Sequence, residues 1–203
     1  MANSAQGRRL QKERAGAITK VLSGTIAGRW HPTGFAVFHV GDLGAEQKLR
    51  LHIWLAGHRP ALANHPCIHS HHWKLDSLVL AGTYIDTLFQ IDKEHGTPYF
   101  LHKYAYWPDG DSVAPGGIIN LRQTAHRAVQ AGEFHDIPIG VLHETRVSTD
   151  AAAATLVIMG KPQQVDMMLA GDKRFRVDRH VRPTLNSGEM EQTLQTLAAA
   201  VDW

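Results

Sequence analysis

His69 and His71 are separated by one serine, and on an extended chain side chains at i and i+2 share a face, so both imidazoles can address one point in space. Asp76 follows five residues after His71. A third imidazole comes from the segment Gly132–His143, where Pro138 and Gly140 force a tight turn that delivers His143 onto a new strand. Three imidazoles and a carboxylate from distant segments suit a first-row divalent ion with open coordination positions. Asp76 either completes that shell or, from behind it, orients a ligand or a bound water.

Other groups could meet a substrate at such a centre. Leu49, Leu51, Ile53 and Leu55 alternate with Arg50, His52 and Trp54, so the latter three share one strand face and are candidates for binding, together with Trp73 and His126. His135, three residues before Pro138, is a candidate acid or base at the cavity mouth, and Tyr104 and Tyr106 are candidate catalytic hydroxyls. Cys67 is in phase with His69 and His71; it reads as a small buried hydrophobe that could line the cavity.

Strands must hold these residues. After Phe35 the hydrophobic period becomes extended: Phe35–Val40, Leu49–Leu55, Ser77–Ala81, Thr83–Ile91, Pro98–Trp107, Ile118–Val129, Glu133–Ile137, Val141–Val147 and Thr155–Met159 are short runs of β-formers punctuated by Gly and Pro. That spacing predicts an all-β sandwich or barrel opening as an antiparallel meander. Pro108–Gly117, with Asp109-Gly110 and Pro115-Gly116-Gly117, reads as a loop. Helical spacing of Leu10, Ala17, Ile18, Val21 and Leu22 predicts an N-terminal helix over about 5–23 ending near Gly24. Asn186 and Glu189 form a capping box for a second helix over about 187–201, with Met190, Leu194, Leu197 and Val201 on one face. The basic cluster Lys173, Arg174, Arg176, Arg179 and Arg182 reads as solvated surface.

The 203 residues suit one domain with a core large enough to enclose a cavity. The 21 basic and 19 acidic residues nearly cancel, so nothing asks for nucleic acid or a membrane surface. One cysteine excludes an internal disulfide framework. Lys12, Glu13, Arg14 and Lys20 interrupt what a signal-peptide core would need, and no apolar run has the length of a membrane span. A cytoplasmic protein is the expectation.

The two histidine segments resemble the cupin superfamily. His69-Ser70-His71, four residues, Asp76, five residues and Gly82 follow its first motif, and Gly132, Pro138, Gly140 and His143 match its second in full. The departures are Asp76 for Glu, one residue fewer before Gly82, Ala63 for a leading Gly, and Val147 for a closing Asn. The resemblance covers about residues 35–162. It implies a single double-stranded β-helix, or jelly-roll, barrel flanked by the two helices, with His69, His71, His143 and Asp76 at a metal. Iron(II) is the first choice, because metal-binding cupins of this kind are often oxygenases; Mn, Ni, Co, Cu and Zn are chemically compatible.

Ile68–His71, Ser77–Gly82 and Thr87-Leu88-Phe89 look like the cysteine dioxygenase group within that superfamily. Asp76 stands where that group has Cys or Gly, its Ser-His-Tyr set falls at Thr155, Val157 and Met159, and its carboxylate-binding Arg falls within Thr33–Phe38, where there is none. The expectation is therefore an Fe(II)-dependent oxygenase or dioxygenase acting with O2 on a small polar molecule, for which a thiol is not the first choice. The alternatives are an O2-independent metal-dependent lyase or isomerase, and a non-catalytic metal- or ligand-binding barrel. An open sheet edge is an aggregation liability, which predicts cover by the terminal helices or by a second subunit in a homodimer.

Overall fold

The computed structural model describes residues 4–44, 46–107 and 110–200, with the side chains of Tyr106 and Trp107 outside the described part. Helix α1, Ala5–Leu22, starts where the Ser4 side chain accepts a hydrogen bond from the Gly7 amide at 2.9 Å, and it ends at Ser23 before Gly24. Leu10, Ala17, Ile18 and Val21 are its buried stripe. Helix α2, Ser187–Ala200, begins with the expected capping box: the Glu189 amide donates to Asn186 Oδ1 at 2.9 Å and the Asn186 amide to Glu189 Oε2 at 2.8 Å. Leu197 is fully buried in the same core as Leu10, with Met190 and Leu194 packed against it; Val201 lies outside the described residues.

The strands are β1 Gly28–Trp30, β2 Ala36–Asp42, β3 Lys48–Trp54, β4 Ile68–His69, β5 Leu75–Ala81, β6 Thr83–Ile91, β7 Thr97–Trp107, β8 Gly110–Gln130, β9 Phe134–Ile137, β10 Leu142–Arg146, β11 Ala153–Met159, β12 Met168–Gly171 and β13 Val177–His180. They form a six-stranded sheet ordered β1-β2-β3-β11-β5-β9 and a seven-stranded sheet ordered β13-β8-β6-β10-β4-β12-β7, and β8 also pairs with β7. Every pairing among the described residues is antiparallel. The expected meander survives in the β2–β3 pairing, which the unexpected β1 extends. Beyond it, strands distant in sequence become neighbours, as in β3-β11-β5, the pairing of a jelly roll.

Both faces of the six-stranded sheet are covered, which decides where each side chain goes. Leu49, Leu51 and Ile53 of β3, Leu78 and Leu80 of β5, and Leu156 and Ile158 of β11 pack with Leu10, Ile18 and Val21 of α1. The alternate positions, among them Arg50, His52, Trp54, Ser77, Thr155 and Val157, face a cavity on the other side. The apolar side of β3 thus meets the helices, and its polar side faces inward.

The expected loop Pro108–Gly117 is a correction. Residues 108–109 lie outside the described part, but Gly110 onward belongs to β8, and Pro115 sits opposite His102 beside a bulge. Gly116 is needed because a Cβ there would stand 2.9 Å from the Leu101 carbonyl oxygen, so a glycine taken for a loop residue permits close strand approach. Strands β1, β12 and β13 were not expected; each has three or four residues, too few to show a period.

Candidate metal centre

His69 and His143 stand directly opposite each other in the β4–β10 pairing, which brings their side chains together on one face. His71 lies just past β4, where its carbonyl accepts from the Gly140 amide at 2.9 Å, tying it to the turn that introduces β10. Gly140 has φ +73°, a conformation that a side chain would strain. Ser70 locks the intervening position: its amide donates to the Met168 carbonyl at 2.9 Å, and the Met168 amide donates to its hydroxyl at 3.0 Å.

One nitrogen from each of His69, His71 and His143 lies within 4.8 Å of the others. Hydrogen bonding selects which nitrogens are free. His69 Nδ1 donates to the Cys67 carbonyl at 2.8 Å, and His143 Nδ1 donates to Asp86 Oδ1 at 3.1 Å, which leaves Nε2 of each ring as the nitrogen able to face a metal. His71 Nε2 lies 3.1 Å from His143 Nε2. Two nitrogens bound at about 2.1 Å to one ion at a right angle would be about 3.0 Å apart, so this spacing fits shared ligation. Burial first, and the neighbouring histidines second, push His69 down to about 3 and His71 well below its ordinary value, which keeps both in the neutral form a metal needs. The residues present therefore fit a divalent transition metal.

Asp76 is not part of this cluster. It shares the helix-facing side of β5 with Leu78 and Leu80, where Lys74 Nζ binds its Oδ1 at 2.7 Å, in a smaller pocket beneath the start of α1. The carboxylate that serves the site is Asp86 on β6, with a side chain fully shielded from solvent. Its Oδ1 accepts from His143 and from the Thr145 hydroxyl at 3.2 Å, while its Oδ2 lies 3.0 Å from His135 Nε2, off the line a hydrogen bond requires. A signal for Asp86 does exist: the alternation Tyr84, Asp86, Leu88 puts an acid at an apolar position of a strand.

The three histidines open onto a cavity of about 450 Å³. Arg50, His52, Trp54, Trp73 and Tyr104, expected inward from strand phase, line it, and so does His135, expected near its mouth from the Pro138 turn. His126 does not; it is exposed on the outer side of β8, its Nδ1 3.0 Å from the Thr87 hydroxyl. The Tyr106 side chain lies outside the described part. Cys67 is an exposed residue on the cavity wall rather than a buried one. Sequence reasoning missed His31, Phe35 and Arg182. Phe35 stacks on His31 at 4.3 Å between ring centroids and lies 4.6 Å from Trp54, making an aromatic wall. Arg182 is not solvated surface: it pairs with the buried Asp111 at 2.8 Å and donates to Tyr104 Oη at 3.0 Å.

No family profile matches the chain, and no curated protein matches it. Among solved structures, an oxalate decarboxylase variant of Bacillus subtilis is similar over 68% of this chain and 28% of its own, at 12% identity and TM-score 0.42. A formate complex of Lactobacillus farciminis oxalate decarboxylase is similar over 72% and 34%, at 14% identity and TM-score 0.43. The chain spans about a third of the length of these structures, and likeness at this level carries no argument about reaction or metal.

Proposed function

We propose that this chain is a cupin-type mononuclear metalloenzyme, an Fe(II)-dependent oxygenase that uses O2 on a small molecule bound in the cavity beside His69, His71 and His143. The observation that carries this reading is the convergence of three imidazoles, two with their free nitrogen set by an outward hydrogen bond, on a cavity of about 450 Å³. A bound iron, held by His69, His71 and His143, would supply redox chemistry toward O2 that no side chain provides.

The protein's own part is positional. Asp86 fixes the tautomer and orientation of His143, the Cys67 carbonyl does the same for His69, and the Gly140 amide anchors the backbone of His71 through its carbonyl. Phe35, Trp54 and Trp73 present an apolar wall that limits bulk water at the reacting end.

A second reading, an O2-independent lyase or isomerase, draws on His135. This buried ring lines the cavity with neither nitrogen in an aligned hydrogen bond, so it can take or give a proton. Electron paramagnetic resonance of anaerobic, Fe(II)-loaded protein with nitric oxide separates the readings. A half-integer-spin signal that is absent in His71→Ala supports an open iron site; bound iron without that signal rules out the oxygenase and leaves the proton-transfer reading.

A further inference from the structure

One buried contact at the centre is incomplete. Asp86 Oδ1 is taken by His143 and by the Thr145 hydroxyl, but Oδ2 has no aligned donor among the described residues. It faces His135 Nε2 at 3.0 Å, and neither nitrogen of that ring has an aligned partner. Both side chains are shielded, His135 at 1% exposure and Asp86 at none. A buried carboxylate oxygen and a buried imidazole are each costly to leave unsatisfied, and here each holds what the other lacks.

The chain brings the two together by construction. Strand β9 ends at Ile137 and β10 starts at Leu142, so one short turn joins His135 on the six-stranded sheet to His143 on the seven-stranded sheet. Both rings converge on a single carboxylate of β6, His143 at Oδ1 and His135 toward Oδ2. The register of His135 against Ser77 fixes the backbone beneath the ring, and the Tyr84 ring packs 5.8 Å from it. The imidazole also lines the cavity, which leaves room for the rotation that aligns Nε2–H with Oδ2. A carboxylate held through Oδ1 alone can swing about its Cβ–Cγ bond. A bond at Oδ2 fixes its plane, and with it the direction in which Oδ1 meets His143 Nδ1–H.

We infer that His135 is a positioning residue of the metal centre: its Nε2–H binds Asp86 Oδ2, fixes the plane of that carboxylate and so aims the His143 ring. The inference rests on the reading of His69, His71 and His143 as metal ligands. It gives His135 a task in the oxygenase reading, where no proton transfer to substrate is asked of it.

A double-mutant cycle in the full chain tests it, with Co(II) affinity measured by competition with a chromophoric chelator and a melting curve taken on each variant. Groups in direct contact with a ligating imidazole contribute roughly 10- to 100-fold in affinity, so His135→Phe, one contact further out, should weaken Co(II) binding about 3- to 10-fold. In an Asp86→Asn background, where an amide donor replaces Oδ2, the same change should cost less than about 2-fold. His135→Gln, whose amide nitrogen reaches the place of Nε2, should recover most of the loss, and the shorter His135→Asn should not. The exchangeable His143 ring proton of the Co(II) protein, shifted by the paramagnetic ion, should move in His135→Phe and return in His135→Gln. Unchanged Co(II) affinity in His135→Phe, or an equal penalty in both backgrounds, overturns the inference and leaves the metalloenzyme reading standing. Wild type that binds no Co(II) defeats the metalloenzyme reading. Urea unfolding of the metal-free proteins of the cycle then decides the contact: coupling between His135 and Asp86 sustains it, and additive changes overturn it.

Discussion

Replacing Asp86 by Asn tests whether the buried carboxylate belongs to the metal centre. Asn keeps the shape but removes the charge that faces His143 Nδ1 at 3.1 Å, in a side chain with no solvent exposure. A hydrogen bond to an ionised group contributes about 1.5–3 kcal/mol, and the neutral replacement keeps roughly half of it. Loss of a carboxylate behind a ligating imidazole costs roughly 10- to 100-fold in metal affinity. The expected result is a dissociation constant for Zn(II) or Co(II), measured by competition with a chromophoric chelator, weaker by that factor. Thr145→Val is the control, because it removes the 3.2 Å hydrogen bond to the same oxygen and leaves the charge; its effect should be much smaller. An Asp86→Asn protein that melts as wild type does and binds metal with unchanged affinity would refute the argument.

Asp76→Ala should leave metal affinity unchanged in the same chelator assay, since Asp76 pairs with Lys74 on the helix side of β5. Leu156→Ala, at a fully buried position between the sheet and the helices, should lower unfolding free energy in urea by about 2–5 kcal/mol while metal affinity holds. Acid should destabilise the fold through His52: its folded value of about 3 lies below the ordinary 6.5, so between those values the unfolded chain binds a proton that the folded chain refuses. Stability therefore falls as pH drops through that window, and urea titrations at stepped pH should show a shallower fall in His52→Gln.

Much of this architecture is legible in strand phase where one face of a strand is apolar and the other is not. Strand β3 is the clear case, and Arg50, His52 and Trp54 reach the cavity as their alternation implies. The argument weakens where both faces are buried. Strand β5 carries apolar residues on both sides, so nothing in its pattern says that Asp76 turns toward α1, and a motif position was read as a ligand position. Asp86 was the better clue, an acid in an otherwise apolar alternation. His126 failed for a different reason: β8 is exposed along most of the stretch that carries it, so alternation there marks no inward face. Arg182 follows a run of basic residues, and local composition cannot reveal that Asp111, 71 positions away, draws it inward.

The bond from the Gly140 amide to the His71 carbonyl makes one backbone proton a witness to the centre. His71 sits outside regular sheet, so its position depends on that strap and on whatever its ring binds. Metal binding would suppress local opening of the strap, and hydrogen–deuterium exchange at Gly140 would slow accordingly. An amide that reacts with no substrate would then register metal occupancy without any turnover.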